Sequence, residues 1–254
     1  MSRIVLKPAY WLAALVFAAF FCAIGIAHAA DKSELEKLQK EVLGVTVQLN
    51  GNCSGTVIYS NRDKVSGEVT TLILSAGHCA IDKDSDQRVE FPVYQDNEIV
   101  KKDAYVGRVY GVYFNADLSL WKLKDKQTFF PNVAKLAPEK PVLMMGEDTW
   151  TAGYPLGAAL TVTKGLFISK ETNDYDKPGR VYYRVTTDIA PGSSGGGMYH
   201  KNEAGDYELL GVTTAGMRGF PYFGLYTQIS DIYAYLKVAA PDVVIPPSKD
   251  AAKP

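Results

Sequence analysis

The chain has 254 residues, 47% hydrophobic and 22% charged, with a formal net charge of -1. Such a composition fits a globular protein with one large domain or two small ones. Lys and Arg are scattered and the balance is not basic, which argues against a nucleic-acid partner.

In residues 1–29, Arg3 and Lys7 precede the apolar run "WLAALVFAAFFCAIGI" and the small-x-small "AHA". This pattern predicts a secretory signal peptide cut after Ala29, and hence a secreted or periplasmic protein. Left uncut, the segment would be a membrane anchor, the one route by which the chain would meet a membrane. Cys22 leaves with the signal, so the exported chain keeps Cys53 and Cys79, an even pair that predicts one disulfide. No CxxC spacing suggests a metal site, and no cofactor is expected.

Residues 30–43 carry Leu35, Leu38 and Val42 at helical spacing, which predicts a short amphipathic N-terminal helix. After Gly44 the pattern changes to short β runs. "VTVQLN", "GTVIYS", "VTTLILSA", "RVEFPVY", "AYVGRVYGVYF" and "LSLWKLK" fall within 44–125. A loop-rich linker with three prolines follows, and then "TWTAGYP", "LTVTKGLFIS", "VYYRVTT", "GGMYH", "YELLGVTTAG" and "YFGLYTQI" within 147–228. Runs rich in Val, Thr, Tyr and Ile, punctuated by Gly, Asp, Asn and Pro, predict an all-β protein of two antiparallel barrels or sandwiches. The tyrosines lie on strand patterns and read as packing. A closing helix over 230–239, capped by Ser230 or Asp231, ends the domain at 240, and the Pro-rich tail 241–254 reads as disordered.

Three short stretches carry chemistry. "GSSGG" sets Ser193 and Ser194 among glycines, where a serine hydroxyl could stand exposed beside backbone N–H groups from Gly192, Ser194, Gly195 and Gly196. A base is needed, and outside the signal the chain has only His78 and His200. His78, in "LILSAGHCA", adjoins Cys79, so a bridge to Cys53 would mount it rigidly. "FNADLSLWKL" supplies Asp117, a carboxylate that could orient an imidazole. The spacing Gly192-x-Ser194-x-Gly196 also fits the nucleophile elbow of α/β-hydrolases. That fold needs an acid and then a histidine after the serine, and only His200 follows, too soon for the strands between.

In this order, "SAGHC", "NADLSLWKL" and "GSSGG" resemble the trypsin-like (chymotrypsin-fold) serine proteases, in particular their bacterial members. "CSGTVI", "TAGYPLG" with "LTVTKG", "LLGVTTAG" and "FGLYTQISDIYAYLK" extend the likeness over roughly Gly44 to Leu236. The resemblance implies two antiparallel β-barrels of the chymotrypsin type. It also implies an endopeptidase that cleaves a protein or peptide substrate through an acyl-enzyme. Ser194, the serine directly before Gly-Gly, would be the nucleophile, with His78 as base and Asp117 orienting it. The N–H groups of Gly192 and Ser194 would form the oxyanion hole, and the strand of Thr214 would pair with the substrate.

Some features depart from the zymogen members. No "IVGG" start is present at the expected distance, and Ser193 stands where zymogens keep an Asp. Both absences imply an oxyanion hole that forms without proteolytic activation. Trypsin itself has an Asp six residues before the nucleophile, which here is Asp188, and Gly216 and Gly224 match its pocket glycines. This implies cleavage after Lys or Arg, the alternative being cleavage after small or apolar residues as in Deg-type enzymes. A catalytically silent binding module would have lost one of the three triad positions, and this chain keeps them all. "DKDSD" at 82–86 fails the calcium-loop spacing and reads as a solvated acidic loop.

Overall fold

β-Branched and aromatic runs become strands here because each presents a buried face to a shared interior, and glycine or polar pairs turn the chain between them. The computed structural model describes residues 32–95, 98–172, 179–217 and 220–243. The expected signal peptide and residues 244–254 of the expected tail lie outside the described residues. The chain divides into two units, 1–38 and 39–254. Of the first, the described part belongs to helix α1 (residues 32–41), which carries a Lys32–Glu36 ion pair one turn apart at 3.9 Å. Among the described residues no helix is long and apolar enough to cross a membrane.

The second unit holds two barrels. The first is built from β1 (Thr46–Leu49), β2 (Cys53–Arg62), β3 (Val69–Ala76), β4 (Gln87–Gln95), β5 (Glu98–Tyr113) and β6 (Leu118–Leu123). These close in the order β1-β2-β3-β6-β5-β4, every pair antiparallel. Leu49, Leu72, Ile73, Leu74, Leu118 and Trp121 on its strands are all buried. A short strand, β7 (Lys135–Leu136), lies in the linker and pairs in parallel with β12 (Tyr207–Met217). The second barrel comprises β8 (Asp148–Gly153), β9 (Thr161–Thr172), β10 (Val181–Val185), β11 (Gly197–Lys201), β12 and β13 (Phe220–Gln228). It runs β11-β8-β9-β10-β13-β12 and closes through β11–β12. Tyr183, Tyr199, Tyr207 and Tyr226 are fully buried, so these tyrosines are packing residues. Helix α2 (Ile229–Ala239) ends the fold.

Three details differ from the sequence reading. Strand β5 starts at Glu98 rather than near Ala104, because its polar first half "EIVKKD" pairs with β4 in a long exposed hairpin and shows no apolar alternation. The loop-rich linker contains β7, two residues long and thus below what periodicity can reveal. The N-cap of α2 is Gln228, with no side-chain capping bond, rather than Ser230 or Asp231, because β13 runs directly into the helix. In the acidic loop, the Asp86 carboxylate is engaged by Arg108 at 2.8 Å and Lys124 at 2.7 Å.

Two features of barrel one position the site. The register Ser75↔Ser119 and Ala76↔Leu118 sets the end of β3 beside the start of β6. Residues just after β3 and just before β6 must therefore meet. Cys53, which opens β2, is bonded to Cys79 just after β3, with Cα atoms 6.1 Å apart and a sequence separation of 26. Replacing both cysteines by serine is expected to lower the unfolding free energy by roughly 3 kcal/mol on the chain-entropy argument. Urea denaturation of the two forms measures it, and an unchanged midpoint would show that the turn after β3 holds without the bond.

Candidate active site

His78 sits in the single turn Gly77–Cys79 that follows β3, and Asp117 lies immediately before β6. The chain reaches Asp117 through a turn closed by its N–H on the Phe114 carbonyl at 3.2 Å. Its φ of 51° is a left-handed conformation that Asp tolerates better than most side chains. From there the carboxylate accepts two hydrogen bonds from one residue. The His78 amide donates to Oδ1 at 2.8 Å, and His78 Nδ1 lies 2.9 Å from Oδ2. The Thr214 hydroxyl, on β12 of the second barrel, also donates to Oδ2. Burial pushes the Asp117 carboxyl up. The bonds from the His78 ring, the Thr214 hydroxyl and the His78 amide, with the charge of His78, outweigh it and hold the group below the usual Asp range. The His78 side chain is half exposed, so the ring is gripped on one edge and open on the other.

Ser194 lies in the loop between β10 and β11. Its backbone carbonyl accepts the Ser54 N–H at 2.7 Å and stands 3.7 Å from Cys79 Sγ, so the loop meets barrel one beside the His78 turn. The two neighbouring serines differ in exposure. Ser194 is part exposed, whereas Ser193 is buried and its hydroxyl accepts the Ala190 N–H at 3.3 Å. The backbone carbonyls from 191 to 194 are all engaged: Pro191 by Leu156 N–H at 2.5 Å, Gly192 by the Ser54 hydroxyl at 2.7 Å, Ser193 by Gly196 N–H at 2.9 Å and Ser194 by Ser54 N–H. A trans peptide points its N–H opposite to its carbonyl. The N–H groups of Gly192 and Ser194, which follow tied carbonyls, have no partner among the described residues. The glycines make this backbone possible. Gly192 and Gly195 have φ of 97° and 86°, and a Cβ on Gly195 would overlap the Ser54 carbonyl and the Ser75 hydroxyl. Two unpaired N–H groups beside a part-exposed serine can receive an oxyanion.

The positions expected to line a substrate pocket fall out unevenly. Gly216 is exposed at the surface of β12, and a Cβ there would lie 3.7 Å from Ile189 Cδ1 and 4.0 Å from the Phe223 carbonyl oxygen, with no overlap among the described residues. A Cβ on Gly224 would overlap the ring of Tyr226, two residues on along the same face of β13. Asp188 is exposed instead of buried at a pocket base. The reason is local: Thr187 turns inward, fully buried, to bond the Tyr226 hydroxyl, so the next side chain turns outward. Thr214 reaches Asp117 with its side chain, a contact that the sequence reading did not assign to it.

His200, the other histidine considered, is tied up on barrel two. Its Nδ1 lies 2.9 Å from Glu147 and its Nε2 3.6 Å from Glu208, which opposes it across the β11–β12 ladder. Burial pushes its pKa down, but the two glutamates outweigh it and the net shift is upward. Sequence reasoning missed Ser54 and Ile189. The first is a lone serine beside a cysteine, a pair with no pattern of its own; the second gives no signal in an apolar-rich chain.

Residues 53–211 match the family model of the trypsin-like peptidase domain. No curated protein sequence matches the chain significantly. Among solved structures, it is similar to Rv3671c from Mycobacterium tuberculosis H37Rv. A serine-to-alanine mutant in its inactive form superposes with a TM-score of 0.57 at 16% identity, covering 82% of this chain and 92% of that one. The active form of the same protease gives a TM-score of 0.57 at 15% identity, covering 78% and 82%. These likenesses establish the two-barrel, chymotrypsin-type fold.

The Asp117 shift has a testable sign. A carboxyl whose folded pKa is depressed contributes stability above its unfolded pKa of about 3.9, lost as the pH falls through the folded value. Thr214→Val removes one of the bonds responsible, so the Asp117 carboxyl is expected to titrate at higher pH in the variant. Carboxyl-carbon NMR titration reads the difference, and coincident curves would show that the Thr214 hydroxyl contributes nothing.

Proposed function

We propose that this chain, which belongs to the family of trypsin-like peptidase domains, is a serine endopeptidase acting through His78, Asp117 and Ser194. The observation that carries the reading is a convergence. A histidine gripped by a largely buried carboxylate stands next to Cys79, against which the loop of a part-exposed serine packs, and the N–H groups of Gly192 and Ser194 in that loop have no partner among the described residues. In the proposed reaction Ser194 Oγ attacks the scissile carbonyl while His78 Nε2 takes its proton. Asp117 keeps the Nδ1 proton in place and stabilises the imidazolium that forms. The N–H groups of Gly192 and Ser194 receive the oxyanion. His78 then protonates the leaving amine, and an acyl-enzyme on Ser194 is released by water in the reverse sequence. The family and the neighbouring protease structures support peptide as the substrate.

The primary specificity favoured here is for a small or apolar residue rather than Lys or Arg. Asp188 is exposed, so no buried carboxylate awaits a cationic side chain, and Ile189 lies beside Gly216 where such a chain would pass. The Cys53–Cys79 bond supports an oxidising compartment, in line with export as a secreted or periplasmic protein.

Two measurements on the purified protein without residues 1–29 test this. A serine-directed phosphonate is expected to label wild type and Ser193→Ala but not Ser194→Ala, and Asp117→Asn is expected to cut turnover by about 10⁴-fold. Absence of labelling in wild type would instead favour a silent binding module. Paired fluorogenic peptides differing only in Arg against Val at the cleaved residue are expected to show preference for Val, unchanged in Asp188→Ser. A preference for Arg that disappears in Asp188→Ser would restore the cationic pocket.

A further inference from the structure

Ser54 is fully buried on β2, yet every hydrogen-bonding group it has is used, and three of its bonds cross to the second barrel. Its N–H donates to the Ser194 carbonyl at 2.7 Å. Its hydroxyl donates to the Gly192 carbonyl at 2.7 Å and accepts the Tyr154 N–H at 2.8 Å. Its own carbonyl accepts the Ser75 hydroxyl at 2.7 Å. Resting on the peptidase reading above, we propose that Ser54 is a positioning residue that fixes the oxyanion loop in its working conformation as soon as the chain folds.

The argument concerns which peptide planes can turn. Gly192 has φ of 97° and no side chain, so the planes on either side of it rotate at little steric cost unless their carbonyls are tied. The plane after it is tied by the Ser54 hydroxyl directly. The plane before it is tied by the Leu156 N–H, and Leu156 belongs to a turn that opens at Tyr154, whose N–H the same Ser54 hydroxyl accepts. One hydroxyl therefore acts on both planes. Were the Pro191–Gly192 plane to flip, a carbonyl would face the site where an N–H donor is needed.

Two further observations point the same way. Leu156 holds φ of 57° while 77% exposed, a left-handed conformation that is unfavourable for a non-glycine residue and kept only where the surroundings impose it. The other end of the turn is also held from barrel one, by Gln48 Nε2 donating to the Gly157 carbonyl at 2.9 Å. In addition, the place beside the nucleophile where an activation ion pair would form holds Ser193, uncharged and bonded locally to the Ala190 N–H. The ordering force comes from barrel one, with no new N-terminus required.

The test is Ser54→Ala, with kcat expressed per site titrated by the phosphonate. The variant is expected to lose about 10- to 100-fold in kcat, somewhat less than removal of an oxyanion donor itself, with KM within about two-fold. The phosphonylation rate constant should fall by the same factor, and Ser54→Thr, which keeps the hydroxyl, should recover most of it. If Ser54→Ala does not fold, Ser54→Cys keeps the shape with a weaker donor and is expected to show an intermediate loss. Wild-type kcat per titrated site, with only a lower melting temperature or a smaller titratable fraction, would overturn the proposal by leaving Ser54 a purely structural role. Equal losses in the Thr and Ala variants would overturn it in favour of packing. A wild type that is not phosphonylated at Ser194 would overturn the peptidase reading and this proposal with it, whereas a fully active wild type with an indifferent Ser54 overturns this proposal alone.

Discussion

The structure depends on a backbone conformation that proteins usually avoid: two N–H groups, at Gly192 and Ser194, without partners among the described residues. An unpaired N–H is costly where water is excluded, and a loop free to turn would find it an acceptor. It is kept from doing so because its carbonyls are already committed. Four successive carbonyls are tied, two of them to Ser54, and with both ends of each plane specified the loop has one arrangement left. The glycine-rich composition of this stretch follows from the same constraint. Side chains at Gly192 or Gly195 would strike backbone that has to be where it is.

The two barrels divide the work accordingly. Barrel one contributes a rigid ledge, formed where the end of β3 and the start of β6 lie side by side and the Cys53–Cys79 bond closes the corner. His78 and Asp117 need nothing further to meet. Barrel two contributes the serine loop and the β12 strand, from which Thr214 reaches back to Asp117. Contacts thus cross in both directions, Thr214 onto the carboxylate and Ser54 onto the loop. Relative sliding of the barrels would break both, which couples the orientation of the imidazole to that of the serine loop. Charge is managed the same way, by pairing: His200 is enclosed by Glu147 and Glu208, away from His78.

What the sequence determined by itself was whatever is local or combinatorial. The alternation of apolar and polar residues marked most strands, the cysteine count marked the bond, and "SAGHC", "NADLSLWKL" and "GSSGG" marked the segments that converge, because those residue types at those neighbours are rare without a shared purpose. Where alternation was missing, as in the polar first half of β5, or the element too short, as in β7, the strands were invisible. Tertiary structure decided the rest. Whether Asp188 faces a pocket or solvent depends on the inward turn of Thr187 toward Tyr226, a partner 39 positions away. Whether Gly224 opens a pocket or admits a ring depends on the rotamer of Tyr226. Ser54 carries no mark in the sequence, since a serine after a cysteine is unremarkable until the second barrel folds against it. Its bond to Gly192 spans 138 positions, and a relation of that range is a property of packing alone.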